Sequence, residues 1–178
     1  MLVTPRLLLR ELDVDDAPAI AERAGDVRVA QYLIAVPTPY PVPLATRWIL
    51  ARIAWWAQGR GVTLAIARRE APRQLIGSIS LRRYARDTRA ELGYWLGADA
   101  WGHGFATEAA EAVLDFGFGD LRLSRIYAQV IAGNAASCRV LEKLGMMNEG
   151  IRRAHLRKGK RLHDVVLFGM LRDEWRTR

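Results

Sequence analysis

The sequence predicts an α+β fold, a mixed and mostly antiparallel central sheet of about seven strands, splayed at one parallel pair and flanked by helices. Three observations predict it. Short strand-like runs separated by turn residues fill positions 62–96, a strand, helix, strand, helix succession occupies 88–144, and two apolar runs around Arg157-Lys-Gly159-Lys make a closing hairpin. With 178 residues and 51% apolar content, the chain can bury one sizeable core and reads as one domain over 1–178.

Taken in order, Arg6 to Glu11 (RLLLRE) reads as a first strand. Asp13-Val14-Asp15-Asp16 supplies an N-cap and early negative charge for a helix running to about Ala24. Prolines 37, 39, 41 and 43 each fix φ and disfavour helix in the residue before, so this stretch reads as an extended loop. Leu44 to Gln58 returns to helical spacing, with Leu44, Trp48, Ala51 and Trp55 on one stripe, and stops at Gly59. These tryptophans read as core packing, with the floor of an acceptor pocket as the alternative. Val62–Ala67, Leu75–Leu81 and Thr88–Leu96 are strand-like, with turns at Glu70-Ala-Pro72-Arg and near Arg86-Asp87, and suggest an antiparallel meander. Then come a glycine loop at 102–104, a helix Phe105–Phe118, a strand Arg125–Ile131 and a helix Ala135–Leu144; this order needs a crossover and hence a parallel strand pair. Met146–Leu156 and Arg161–Leu171 form the hairpin.

Composition narrows the function classes. The first six residues carry no basic segment leading into an apolar run, and no stretch approaches the ~18 apolar residues of a membrane span, so neither export nor membrane insertion is expected. Cys138 is the single cysteine, which excludes an intrachain disulfide and a cysteine-based metal cluster and fits a reducing cytoplasm. No metal site is expected. The net charge of +8 invites a nucleic-acid reading, but only Lys143, Lys158 and Lys160 of the 27 basic residues are lysine, and this arginine bias looks like GC-rich codon usage. A polyanionic small molecule is a third explanation of the charge.

The most informative segment runs from Glu91 to Glu108. A strand enters a glycine-containing loop that opens a helix, a context that exposes unpaired N–H groups where the helix dipole favours an anion. Gly102 and Gly104 allow close backbone approach to a phosphate, although glycine before a helix is often only a turn. No Gly-Lys-Ser/Thr follows, so this is not a P-loop, and Thr107 stands where a dinucleotide fingerprint needs its third glycine. Gly93, inside the preceding strand, marks either a bulge that would splay the strand from its parallel neighbour or a tight fit under a bulky side chain.

The run Trp101-Gly-His-Gly104-Phe-Ala106-Thr-Glu108 resembles the acyl-coenzyme A signature of GNAT acetyltransferases, Gln/Arg-x-x-Gly-x-Gly/Ala, with Gly104 and Ala106 matching and Trp101 replacing Gln or Arg. Asn134-Ala-Ala-Ser137 through Leu144-Gly145 resembles the family's next motif. Together with the Thr4 to Arg10 opening and Glu174-Trp175 near the end, the chain is similar to the ribosomal-protein N-terminal (RimJ/RimL-like) branch.

The resemblance implies a fold, a co-substrate and roles. Acetyl-CoA would bind with its pyrophosphate on the backbone at Gly102, His103, Gly104, Phe105, Ala106 and Thr107, beside Trp101. Its pantetheine arm would lie along Tyr94, Trp95 and Leu96, an amide near Leu96 would stabilise the oxyanion, and Asn134 and Arg139 would join the cofactor-facing set. Ser137 would donate a hydrogen bond or proton to the leaving thiolate; the alternative for Asn134 and Ser137 is a helix N-cap and first turn. For a base, Glu91, His155, His163 and Asp164 are candidates; Glu91 should face away from Tyr94, and His155 is placed beside the acceptor entrance, with a solvated strand histidine as its alternative. Cys138 lacks a histidine partner in sequence reach and reads as a packing residue, which favours direct transfer in a ternary complex.

The expected acceptor is a protein N-terminal α-amine, with a small-molecule amine or antibiotic as the alternative, since the loop Gln31–Val42 encodes no readable specificity. Readings of another class are a non-catalytic acyl-CoA binder and a basic nucleic-acid-binding protein; the glycine-lined helix start argues against nucleic acid as the substrate. The basic hairpin 152–161 reads as a solvated face or a docking surface. Monomer and homodimer both stay open.

Overall fold

In the computed structural model, which describes residues 1–83 and 87–177, the strands are β1 Leu2–Val3, β2 Leu7–Glu11, β3 Gly61–Arg68, β4 Ala71–Arg83, β5 Arg89–Leu96, β6 Arg125–Ile131, β7 Met147–Lys158 and β8 Arg161–Leu171. The helices are α1 Ala17–Gly25, α2 Val27–Ala30, α3 Val42–Ala57, α4 Phe105–Phe118, α5 Ala135–Lys143 and α6 Arg172–Arg176. They build one eight-stranded sheet in the order β1-β2-β3-β4-β5-β6-β8-β7. Only β5 with β6 is parallel among its described pairings, as the α4 crossover between them requires.

Strand alternation divides the core in two. Leu64, Ile66, Ala90 and Leu92 face a cluster with Val113 and Leu114 of α4 and Leu141 of α5, while Ala65 and Leu75 face the opposite cluster with Ile20 of α1 and Ala45 and Ile49 of α3. The corner from β2 into α1 is fixed by Asp16, 5% exposed, whose carboxylate takes two hydrogen bonds from Arg10 at 2.8 and 2.6 Å and one from the Asp13 N–H at 2.9 Å.

The parallel pair is short. Its register runs from Arg89↔Arg125 to Leu92↔Ala128 and then ends, although β5 stays paired with β4 as far as Leu96 and β6 with β8 as far as Ile131. The two strands are thus held by their outer neighbours while their inner edges part beyond Leu92.

Several expectations need correction. The sheet has eight strands because Leu2–Val3 adds an edge too short to show a pattern. Helix α3 begins at Val42, within the proline stretch, because a proline in the first turn forgoes only an N–H that has no helical partner. Within α3, Ala45 and Ile49 face the core, and the Leu44/Ala51 stripe is exposed. The turn between β3 and β4 lies at 69–70, and Pro72 falls in a bulge where Ala67 pairs with Leu75 and Arg68 with Ala71, a place that needs no N–H from proline. At Gly93 the β4–β5 register runs unbroken, so the parting involves no bulge on that side. Arg86 of the expected turn lies outside the described residues; Asp87 accepts the Arg89 N–H at 2.9 Å.

Candidate active site

The gap between β5 and β6 is lined by backbone groups with a defined direction. Gly97 N–H donates to Ile76 O at 2.8 Å, so by antiparallel alternation the N–H groups of Gly93 and Trp95 also turn toward β4. Those of Tyr94 and Leu96 turn the other way, into the gap. The Leu96 carbonyl is held by Trp101, whose indole Nε1 donates to it at 2.9 Å and folds the loop back onto the strand end.

Side chains follow the same alternation. Tyr94 packs with the α4/α5 core, and its hydroxyl lies 2.8 Å from Ser137 Oγ and donates to Ser137 O at 3.2 Å. Burial pushes the Tyr94 phenol up to about 12, against a lowering contribution from the Ser137 hydrogen bond, so it is a protonated donor at neutral pH. Ser137 sits in the first turn of α5, where Asn134 Oδ1 caps its N–H at 3.2 Å. The structure therefore brings Tyr94, Ser137 and Asn134 together at the gap, with Asn134 in the capping role. Arg139 is exposed on α5. Cys138 is half-buried against the same core, and burial pushes its thiol up, which disfavours the thiolate that a nucleophile needs.

At the start of α4, Gly102 and Gly104 have φ of 81° and 77°, the left-handed region open to glycine, and Gly104 caps the helix without a side-chain bond. The N–H groups of Phe105, Ala106 and Thr107 precede the first helical hydrogen bond, that of Glu108 N–H to Gly104 O at 3.1 Å. Two guanidiniums flank this helix start: Arg6 and Arg68 lie 4.8 and 5.4 Å from the centre of the Phe105 ring, each ion-paired, Arg6 with Glu108 and Arg68 with Glu70. Arg6 also donates to His103 O at 2.9 Å, and the His103 ring lies 5.4 Å from that of Phe105. Sequence reasoning assigned no site role to Arg6 or Arg68.

Glu108 ties the loop to the N-terminal segment, accepting from Thr4 Oγ1 at 2.6 Å, from the Arg6 N–H at 2.9 Å and from Arg6 Nε at 2.7 Å. Burial alone would raise its carboxyl, but the Thr4 and Arg6 hydrogen bonds together hold it below the ordinary glutamate value. Such a carboxylate stabilises the fold above its unfolded pKa, roughly 4.3, and the contribution is lost as pH falls through the lower folded value. Glu108→Gln is accordingly expected to melt below the parent protein at pH 7, with the gap narrowing in thermal scans below about pH 4.3. A gap unchanged down to pH 3 would contradict the assignment.

The other side of the gap opens into a cavity of about 400 Å³. Trp48, Arg52 and Trp55 of α3 line it with Glu91, Trp95 and Gln129, and the segment Tyr32–Val36 forms part of its wall. Trp48 and Trp55 are both half-buried and line the cavity, and Trp48 also packs against the core cluster of α1 and α3, so it answers to both expected roles. Glu91 faces away from Tyr94, as strand alternation predicts, and this turns it toward the cavity, where Arg82 pairs with it. Gln129 lines the cavity, and its Oε1 is buried without a hydrogen-bond partner. Lys158, near the hairpin end, donates to the carbonyls of Leu33 and Val36 at 2.5 and 2.9 Å and straps the hairpin to the cavity wall.

His155 is not part of this assembly. It is exposed, with Nε2 3.4 Å from Arg152, whereas its neighbour Leu156 lines the cavity. A register shift between Arg152 and Leu156, with Ala154 at φ 48°, separates the two. Asp164 accepts the Ala154 N–H at 2.8 Å, and His163 is absent from the cavity wall among the described residues.

A parted parallel pair, a helix start with free amides and a hydroxyl pair between them suit a long anionic thioester. Residues 6–147 match the acetyltransferase (GNAT) domain model. The chain belongs to the GNAT acetyltransferase family. Over 176 residues this GNAT enzyme is 32% identical to the uncharacterized N-acetyltransferase p20 of Bacillus licheniformis, covering 98% of this chain and 97% of p20. Its fold matches the crystal structure of a GNAT-family acetyltransferase from Bacillus anthracis with a TM-score of 0.85 at 25% identity, over 97% of this chain and 99% of the other. It also matches RimL, a ribosomal L7/L12 α-N-protein acetyltransferase in complex with coenzyme A, with a TM-score of 0.84 at 19% identity over 97% of each chain. The activity is acetyl transfer. Among the described residues, no helix of this acetyltransferase is long and apolar enough to cross a membrane.

Proposed function

We propose that this GNAT enzyme transfers an acetyl group from acetyl-CoA to a protein N-terminal α-amine by direct attack within a ternary complex. Acetyl-CoA supplies the activated acyl thioester. The backbone amides of residues 102–107 hold its diphosphate, the inward groups of Tyr94 and Leu96 pair with its arm, and the Leu96 N–H stabilises negative charge building on the acyl oxygen. The Tyr94–Ser137 pair donates to the departing sulfur.

The single observation that favours an α-amine is the poverty of bases in the cavity. Among the described residues its wall carries one carboxylate, Glu91, already engaged by Arg82, and no histidine. An α-amine with a pKa near 8 is about one-tenth neutral at pH 7, whereas a lysine near 10.4 is neutral in less than about one molecule in a thousand. A site without a strong base suits the former, and the likeness to RimL agrees. The test is thiol release with acetyl-CoA and paired peptides, one with a free N-terminus and no lysine, the other N-acetylated with an internal lysine. The free α-amine is expected to be used at least tenfold better in kcat/KM, following the difference in neutral amine. Preference for the lysine peptide would overturn the reading.

A further inference from the structure

The acceptor half of the cavity holds a cation without a counter-ion. Arg52 is half-buried, with its guanidinium 4.0 Å from the centre of the Trp55 ring and 5.5 Å from that of Trp48. Among the described residues no carboxylate lies within 4.0 Å of it. Burial, then the neighbouring Arg82, hold its pKa below the ordinary arginine value, with Tyr40 opposing them. The charged side chains of the cavity wall are Arg52, Arg60, Arg82 and Glu91, three cations against one anion. A buried charge left uncompensated is costly unless a partner arrives. That partner is not the coenzyme's phosphate chain, because residues 102–107 at the start of α4 do not line this cavity.

We propose that Arg52 is an anion subsite of the acceptor pocket, so that the preferred acceptor carries a carboxylate or phosphate close to its reactive amine. Trp48 and Trp55 support the guanidinium from the side of its face and leave N–H groups at its edge for an oxyanion, the geometry that makes arginine the usual partner of such groups. The inference rests on the amine-acetylating reading above and narrows it. An acidic residue near a peptide N-terminus and the carboxylate or phosphate of a small amine share this chemistry.

The test is thiol release with acetyl-CoA and isosteric acceptor pairs: Ala-Glu-Ala-Ala amide against Ala-Gln-Ala-Ala amide, leucine against leucinamide, and phosphoethanolamine against ethanolamine. At least one anionic member is expected to exceed its neutral partner by about tenfold or more in kcat/KM, the size of a charge-assisted hydrogen bond. The pair that responds identifies the source of the anion. In Arg52→Met, which keeps an apolar stem on the tryptophans, that preference should fall to within about twofold, and in Arg52→Lys part of it should return. Unaltered acetyl-CoA affinity certifies that the variants are folded. All pairs within twofold, or a preference that survives Arg52→Met, overturns the proposal. If no acceptor turns over, the amine-acetylating reading fails separately, and tryptophan fluorescence of the acetyl-CoA-saturated protein decides this one. Anionic members binding about tenfold tighter, with the difference lost in Arg52→Met, support it; equal binding or no binding overturns it.

Discussion

Tyr94→Phe is expected to lower kcat for acetyl transfer by about 10- to 100-fold while leaving the Kd for acetyl-CoA within about threefold. The phenol is held near 12, above the roughly 8.5 of a thiol, so it need not surrender its proton to help the leaving group. In the proposed transfer its contribution is a hydrogen bond turned from Ser137 O to a sulfur that carries charge only as the bond breaks, an interaction stronger in the transition state than in the ground state, which acts on kcat. Ser137→Ala removes the other member of a pair only 2.8 Å apart, so the double variant should lose much less than the product of the two single losses. Stopped-flow thiol release with saturating acetyl-CoA reads all three. A Tyr94→Phe enzyme within threefold of the parent would remove the hydroxyl pair from the chemistry.

Gly104→Val is expected to weaken acetyl-CoA binding by about tenfold or more, a loss set by backbone strain of about 1–3 kcal/mol at a bulky residue forced to positive φ. The φ of 77° there is one that a β-branched residue resists, and relaxation would turn the helix-start amides away from the bound diphosphate. Crowding within the protein is not the cause, since a Cβ at this position meets only Arg6 Nη2 at 3.5 Å. Gly150→Val is the control: φ is 107° there and nothing lies within 4 Å of the added Cβ, so it should lower the melting temperature similarly but leave acetyl-CoA affinity intact. Calorimetric titration separates the two outcomes, and equal affinity in Gly104→Val would show that the loop does not grip the coenzyme.

The elements read most accurately from the sequence are those whose local signals agree. The helix Phe105–Phe118, the strand Arg125–Ile131 and the strand Arg161–Leu171 have the predicted bounds, because glycine, crossover order and period point the same way at each. Helix α3 shows the limit of periodicity. It is apolar around much of its circumference, so both the Trp48/Trp55 stripe and the Ala45/Ile49 stripe fit a helical period, and only packing against the sheet selects the smaller residues for the core. Arg52 carried no signal for the same reason, since its role depends on which stripe turns inward. The Tyr94–Ser137 contact joins residues 43 positions apart. Its two members were each singled out, but their pairing needed the tertiary fold. At His155, the resemblance placed the residue beside the acceptor entrance, but the irregularity between Arg152 and Leu156 puts Leu156 on the cavity wall and leaves His155 as an exposed strand histidine.

Hydrogen–deuterium exchange of the full chain, with and without saturating acetyl-CoA, tests the central claim most directly, because the amides said to receive the coenzyme are named. Protection concentrated at the amides of Tyr94, Leu96 and residues 102–107 is the predicted result. Tight binding that leaves both segments exchanging as in the free protein would contradict it.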